Sequence, residues 1–247
     1  MPDRTGTRYE PWRGQEAGSF ALARCRDLLR SLLAGWPRRT RSMLMFNAGT
    51  GSGAFLETLW EAGFDVTGQD NDQNYLDRAR KRLGARSDFV LSAPDHLPFD
   101  DSFFDYAVAV AALEFWENPE AVLREIGRVT CGGLIIIFPC SWSLFALECR
   151  TRGRSPLCDT AGPLLQSPRN VDRLLKRAYG KKKTVWSSAL PGPSRTWTER
   201  SRLKLLNNVR LPFPMGAFAG VRVNFGPLYA ATPMLLRSSG NSVAAVE

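Results

Sequence analysis

Seven consecutive residues, Asn47-Ala48-Gly49-Thr50-Gly51-Ser52-Gly53, separate a short apolar run from an amphipathic stretch. Glycine allows a sharp turn and lets a ligand come close to the backbone, and the start of a following helix offers unpaired N–H groups. Asp70 ends the next apolar run, where a carboxylate can accept hydrogen bonds from ribose hydroxyls. Together these residues suit a cofactor carrying a nucleoside. Two further side chains have acid–base potential: His96, the only histidine, and Glu114. Imidazole is half-protonated near neutral pH, and a carboxyl reaches that range when its surroundings raise its pKa.

The elements that must position these residues follow from periodicity. Residues 17–34 carry Leu22, Cys25, Leu29, Leu32 and Leu33 at helical spacing. Met43-Leu44-Met45-Phe46 reads as a buried strand that stops at the glycine loop. Residues 55–62 form a helix, 64–68 a strand, 73–83 a charged helix and 88–91 a third strand. A fourth strand over 106–111, a helix over 119–129 and a β-branched fifth strand over 134–138 complete the alternation. Strands and helices in this rhythm predict parallel βαβ units in a doubly wound sheet. Beyond Pro139 the rhythm breaks. Ser167 and Pro168 open a helix of about ten residues as N-cap and first-turn proline, and late strands are expected over 184–189, 217–223 and 232–236.

The glycine loop alone leaves two cofactors open, because Gly49, Gly51 and Ala54 also satisfy the dinucleotide pattern G-x-G-x-x-G/A. The segments that follow decide between them. Gly49-Thr50-Gly51-Ser52-Gly53, Val66-Thr67-Gly68-Gln69-Asp70, Leu97-Pro98-Phe99-Asp100-Asp101-Ser102-Phe103-Phe104-Asp105, Leu113-Glu114-Phe115-Trp116-Glu117-Asn118-Pro119-Glu120, Leu123-Arg124-Glu125-Ile126 and Gly132-Gly133 stand in this order. This series resembles the class I S-adenosylmethionine-dependent methyltransferases, in particular the type 11 group with ubiquinone/menaquinone-biosynthesis-like members. It covers residues 43–139. The resemblance implies an α/β fold with a doubly wound, Rossmann-like, seven-stranded and mostly parallel sheet carrying helices on both faces. It implies S-adenosylmethionine as cofactor. Carried over position by position, Gly49, Gly51 and Gly53 would line the methionine moiety and Asp70 would hold the ribose. Asn71 would lie beside the adenine, with Ala111, Leu113 and Glu114 beneath the cofactor. Two positions depart from the family: Asn47 replaces the acidic residue after the first strand, and Ala93 the one after the third. Asp95, two residues on, is the candidate replacement. A charged hydrogen bond contributes roughly 1.5–3 kcal/mol, so two such losses matter.

Bulk properties narrow the setting. At 247 residues, with 44% apolar and 23% charged residues, the chain can bury a real core and is neither disordered nor fibrous. A single methyltransferase domain is expected over 1–247, with a helical lead-in at 1–40, a cofactor-binding core at 41–140 and a basic acceptor-side region with late strands at 141–247. The charged N-terminus does not read as a signal peptide, and the longest apolar run is far too short for a transmembrane segment. A cytoplasmic protein is expected. Five cysteines without metal-ligand spacing read as buried reduced thiols, and no metal is expected.

Charge is segregated: residues 1–140 hold 16 Lys and Arg against 19 Asp and Glu, residues 141–247 hold 17 against 5. The basic part suits an anionic partner, nucleic acid or an acidic membrane surface, through residues 141–210; it equally suits a solvated face. Trp142, Phe145, Trp186 and Trp197 with nearby cations would make an aromatic acceptor pocket, although core packing explains such residues as readily. The expected function is methyl transfer to a small anionic or aromatic acceptor. The rivals are a catalytically degenerate binding or regulatory protein of this fold, an RNA methyltransferase, and a nicotinamide-dependent oxidoreductase. The last leaves residues 97–133 unexplained.

Overall fold

The computed structural model describes residues 15–36, 41–46, 54–152, 165–202 and 204–226. Seven strands form one sheet: β1 (Arg41–Phe46), β2 (Phe64–Asp70), β3 (Asp88–Leu91), β4 (Phe104–Val110), β5 (Thr130–Pro139), β6 (Lys183–Ala189) and β7 (Phe218–Asn224). Their spatial order is β3-β2-β1-β4-β5-β7-β6. The first five strands run parallel, and β7 is antiparallel to both β5 and β6. The strand expected over 232–236 falls outside the described residues.

Alternation along the central strands sorts side chains onto two faces. Met43, Met45, Tyr106, Val108, Ile135 and Ile137 face one way. They pack beneath α1 (Glu16–Leu33), α2 (Ala54–Glu61) and α3 (Gln73–Leu83). Leu44, Phe46, Ala107, Ala109, Leu134, Ile136 and Phe138 face the other way, under α4 (Pro119–Val129) and α6 (Pro168–Tyr179). Because both faces are covered, these strands read as continuous apolar runs. The expected α/β, doubly wound, mostly parallel architecture is what forms.

Local chemistry fixes the helix starts. Asp72 caps α3 by accepting the Asn74 N–H at 2.8 Å, and Asn118 caps α4 through Ala121 N–H at 3.2 Å. Ser167 occupies the position before α6 with extended backbone, but its side chain makes no capping bond. Pro168, whose φ is preset for the first turn, is the start signal there.

After β5 the chain forms α5 (Leu144–Arg152), then α6, β6, a short helix α7 (Lys204–Asn208), and β7. A third cluster joins Phe20 and Ala21 of α1 to Phe145, Leu190, Trp197 and Ala217, at the end of the sheet where β5 stops. The thiols depart from expectation. Cys25 and Cys140 are buried and free, but Cys131 is exposed and Cys149 is disulfide-bonded. No metal-binding cluster occurs among the described residues. No helix among them is long and apolar enough to cross a membrane.

Candidate cofactor site

Strands β1 and β4 are neighbours, and strand order reverses between them. In open parallel sheets the crevice beyond the strand ends at that reversal is the binding place, because the connections leave it in opposite directions. Of the expected site residues, Asn47, Gly49, Gly51 and Gly53 lie outside the described residues. The remainder can be placed.

Asp70 is the last residue of β2, buried to 1% exposure. Its Oδ1 accepts the backbone N–H of Asp72 at 3.1 Å, which fixes the carboxyl at the strand end. Asn71 follows, exposed in the turn. Beside them β3 ends: the Ser92 N–H donates to the Asp70 carbonyl at 3.1 Å, and Gln69 Nε2 donates to the Ser92 carbonyl at 2.5 Å. Ser92 Oγ and Gln69 Oε1 are buried and lack a partner among the described residues. Asp95 lies two residues beyond Ala93, exposed in a surface turn. The family pattern gave no reason to notice Gln69 or Ser92, yet these hold the buried, unsatisfied polar atoms at this edge.

The end of β4 is strained. Ala111 has φ 48°, a left-handed conformation that costs a residue with a Cβ on the order of 1 kcal/mol or more. Its N–H donates to the Ile137 carbonyl at 2.8 Å, so the sheet enforces the geometry. A 3-10 turn, Leu113–Phe115, follows at once. Leu113 is buried. Glu114 is half-buried as a residue, but both carboxylate oxygens are shielded and have no hydrogen-bond partner among the described residues. Burial pushes its carboxyl from the usual 4.5 up to about 8, with its own backbone N–H acting in the opposite sense. Cys25 of α1 lies close enough to feel the Glu114 charge.

His96 is exposed in the turn after β3, its N–H donating to the Ala93 carbonyl at 3.3 Å. The loop behind it is clamped by α4. Glu125 Oε1 accepts the Leu97 N–H at 2.8 Å, and Arg128 grips Glu125 with two bonds of 2.9 and 2.6 Å. Arg128 also donates to the Phe99 carbonyl and to Asp101, both at 2.8 Å. Arg128 holds the Glu125 carboxyl below its usual range.

Of the two readings of the aromatic residues, core packing holds for most of them. Trp197 and Phe145 are buried together in the third core cluster, 5.1 Å between rings. Trp186 packs edge-on against Phe138. Only Trp142 is exposed, with the Arg169 guanidinium 5.3 Å from its ring.

The donor set suits a nucleoside-bearing cofactor. A buried carboxylate meets the need of ribose hydroxyls for acceptors, and Ser92 Oγ and Gln69 Oε1 are polar atoms awaiting partners at the same edge. A seven-stranded, mostly parallel sheet with helices on both faces is the architecture that the family resemblance implies. Residues 46–138 match the family described as "Methyltransferase domain". The fold is similar to that of an S-adenosylmethionine-dependent methyltransferase of Thermotoga maritima, with TM-score 0.68 and 20% identity over 90% of this chain and 97% of that one. It is also similar to an S-adenosylmethionine-dependent methyltransferase of Aquifex aeolicus, with TM-score 0.56 and 14% identity over 86% of this chain and all of that one. In sequence, a malonyl-[acyl-carrier protein] O-methyltransferase of Serratia marcescens is 32% identical over 124 residues, 49% of this chain and 48% of the relative. The enzyme of the same description from Hamiltonella defensa is 30% identical over 94 residues, 38% of this chain and 36% of the relative. The matches thus span half or less of these relatives' lengths. By fold and by the domain matched over residues 46–138, the chain is similar to the class I S-adenosylmethionine-dependent methyltransferases.

Proposed function

We propose that the protein transfers a methyl group from S-adenosylmethionine to a small acceptor with an anionic or aromatic group. The observation that carries this reading is the pairing of two features at the ends of the strands that flank β1: buried Asp70 closing β2, and the strained Ala111 turn presenting Glu114 after β4. Bound cofactor supplies an electrophilic methyl on a sulfonium. Asp70 accepts from the ribose hydroxyls, and Ser92 with Gln69 offers polar atoms toward the base. The loop over 47–53 holds the methionine end, with Asn47 donating or accepting where the family carries an acid. Alignment in a dry crevice contributes roughly 7–11 kcal/mol to such a transfer. The acceptor is met by residues 1–40 and 141–215, in one domain with the core; Arg169 over Trp142 and Arg24 over Phe20 are cation–aromatic pairs in these regions. The curated relatives' names describe O-methylation of a malonyl group, which supports an anionic acceptor.

Calorimetry with S-adenosylmethionine and S-adenosylhomocysteine tests this. Micromolar binding, lost in Asp70→Ala while the variant still melts cooperatively, is the expected outcome. A ligand at 100 times its dissociation constant stabilises by about 2.7 kcal/mol, visible as a raised melting temperature. No binding at millimolar cofactor would favour the degenerate binding protein that Asn47 and Ala93 suggest.

A further inference from the structure

Glu114 is costly to keep. Both its oxygens are shielded, neither has a hydrogen-bond partner among the described residues, and the backbone that carries it leaves a strained strand end. A buried polar group without a partner costs about 1–3 kcal/mol, and this one sits where strand order reverses.

We propose that Glu114 is a proton-linked counter-charge that lets the crevice distinguish the cationic methyl donor from its neutral thioether product. This rests on the function proposed above. With the crevice empty Glu114 keeps its proton, because burial disfavours the carboxylate. When a sulfonium seats nearby, Glu114 releases the proton to solvent and the carboxylate and sulfonium attract each other. Methyl transfer then breaks the S–CH3 bond with its electron pair staying on sulfur, which becomes a neutral thioether. The methyl joins the acceptor's nucleophilic lone pair. Glu114, left as a carboxylate without a cation, takes back one proton. That proton comes from the acceptor where its nucleophile bears one, and from solvent where the acceptor is already an anion. The affinity gained for the donor is thereby withdrawn from the product, which favours its release.

The groups that face Glu114 permit this cycle. Cys25 of α1 is pushed up to about 12, chiefly by burial, so it stays neutral throughout. Arg26, the next residue, is near enough to Cys25 to lower its pKa. Among the described residues, burial is the largest influence on Glu114 and its own backbone N–H acts in the opposite sense.

The experiment is titration calorimetry of the full chain at pH 7 in buffers of different ionisation enthalpy. Close to one proton should be released per S-adenosylmethionine bound, and close to none for S-adenosylhomocysteine. The two ligands share an α-amino group, so its titration cancels in the comparison. The donor's apparent dissociation constant should tighten about tenfold from pH 6 to pH 7, since each unit below the folded pKa holds back one more factor of ten. Glu114→Gln should bind both ligands with equal, near-zero proton release and lose the pH dependence of their affinity ratio. If both ligands bind wild type with the same proton count, the counter-charge is wrong while the cofactor assignment stands. If neither binds, the cofactor assignment itself fails. Should Glu114→Gln not fold, the wild-type difference between the two ligands decides alone.

Discussion

A carboxyl that stays protonated at neutral pH leaves a mark on stability as well as on binding. Glu114 rises from 4.5 to about 8 on folding, so between those values the folded chain binds more protons than the unfolded one. Its contribution is therefore fully present below about pH 4.5 and drains away as pH climbs to 8. Glu114→Gln keeps the shape without the titration. Its melting temperature should match wild type near pH 4.5, exceed it increasingly toward pH 8, and hold a constant lead above that, reflecting a few kcal/mol. Melting curves across this range check it, and a difference independent of pH would mean that the carboxyl is solvated. Spacing alone does not separate Glu114 from His96, because burial is a property of the assembled chain. The sequence nominates both; folding shields the oxygens of one and leaves the other exposed. Asp70 was legible because it ends a strand, whereas Gln69 and Ser92 acquire meaning only when β3 is laid against β2.

At the scale of elements, the stretch over 97–105 shows how a motif is held. Arg128 and Glu125 lie one turn apart on α4, and their fork reaches back to the backbone of Leu97 and Phe99. Planar guanidinium chemistry is what this needs: two bonds to one carboxylate and further bonds to carbonyls from a single side chain. Arg128→Ala should cost roughly 1–3 kcal/mol, since the side chain is partly solvated, and should loosen the loop between β3 and β4. Arg128→Lys should recover only part of that loss, because a point charge cannot make the fork. Faster amide exchange over 97–101 beside an unchanged α3 would bear this out; uniform destabilisation would argue that the fork does not act locally. The elements themselves were readable wherever a face is buried. The 3.6-residue period of α3 and α4 and the apolar runs of β1 and β4 are direct prints of a two-faced sheet. The aromatic residues after residue 140 left pocket and core packing both open, and only the return of the chain over 190–217 draws Trp197 and Phe145 into the third core cluster.

At the scale of the whole molecule, part of the excess of basic residues after residue 140 lies at one edge of the sheet. Among the described strands, β3 and β6 are the two edges. An unguarded edge pairs with other chains, and natural sheets blunt it by shortness, cover or lysine. β3 has only four residues. At β6 the far end is covered by Leu211, which exchanges backbone bonds of 2.9 and 3.0 Å with Ser188. The near end is preceded and opened by Lys181, Lys182 and Lys183, all exposed. This assigns part of the charge surplus a guarding role that needs no anionic partner. Replacing the three lysines by threonine, a residue that favours strands, should leave the fold intact and produce larger species as concentration rises, followed by light scattering. Replacement by arginine should keep the wild-type size, since charge is the guard. If the threonine variant instead stays monodisperse but loses salt-sensitive retention on RNA or on acidic vesicles, the lysines serve a partner, and the basic segment becomes part of how the protein finds what it modifies.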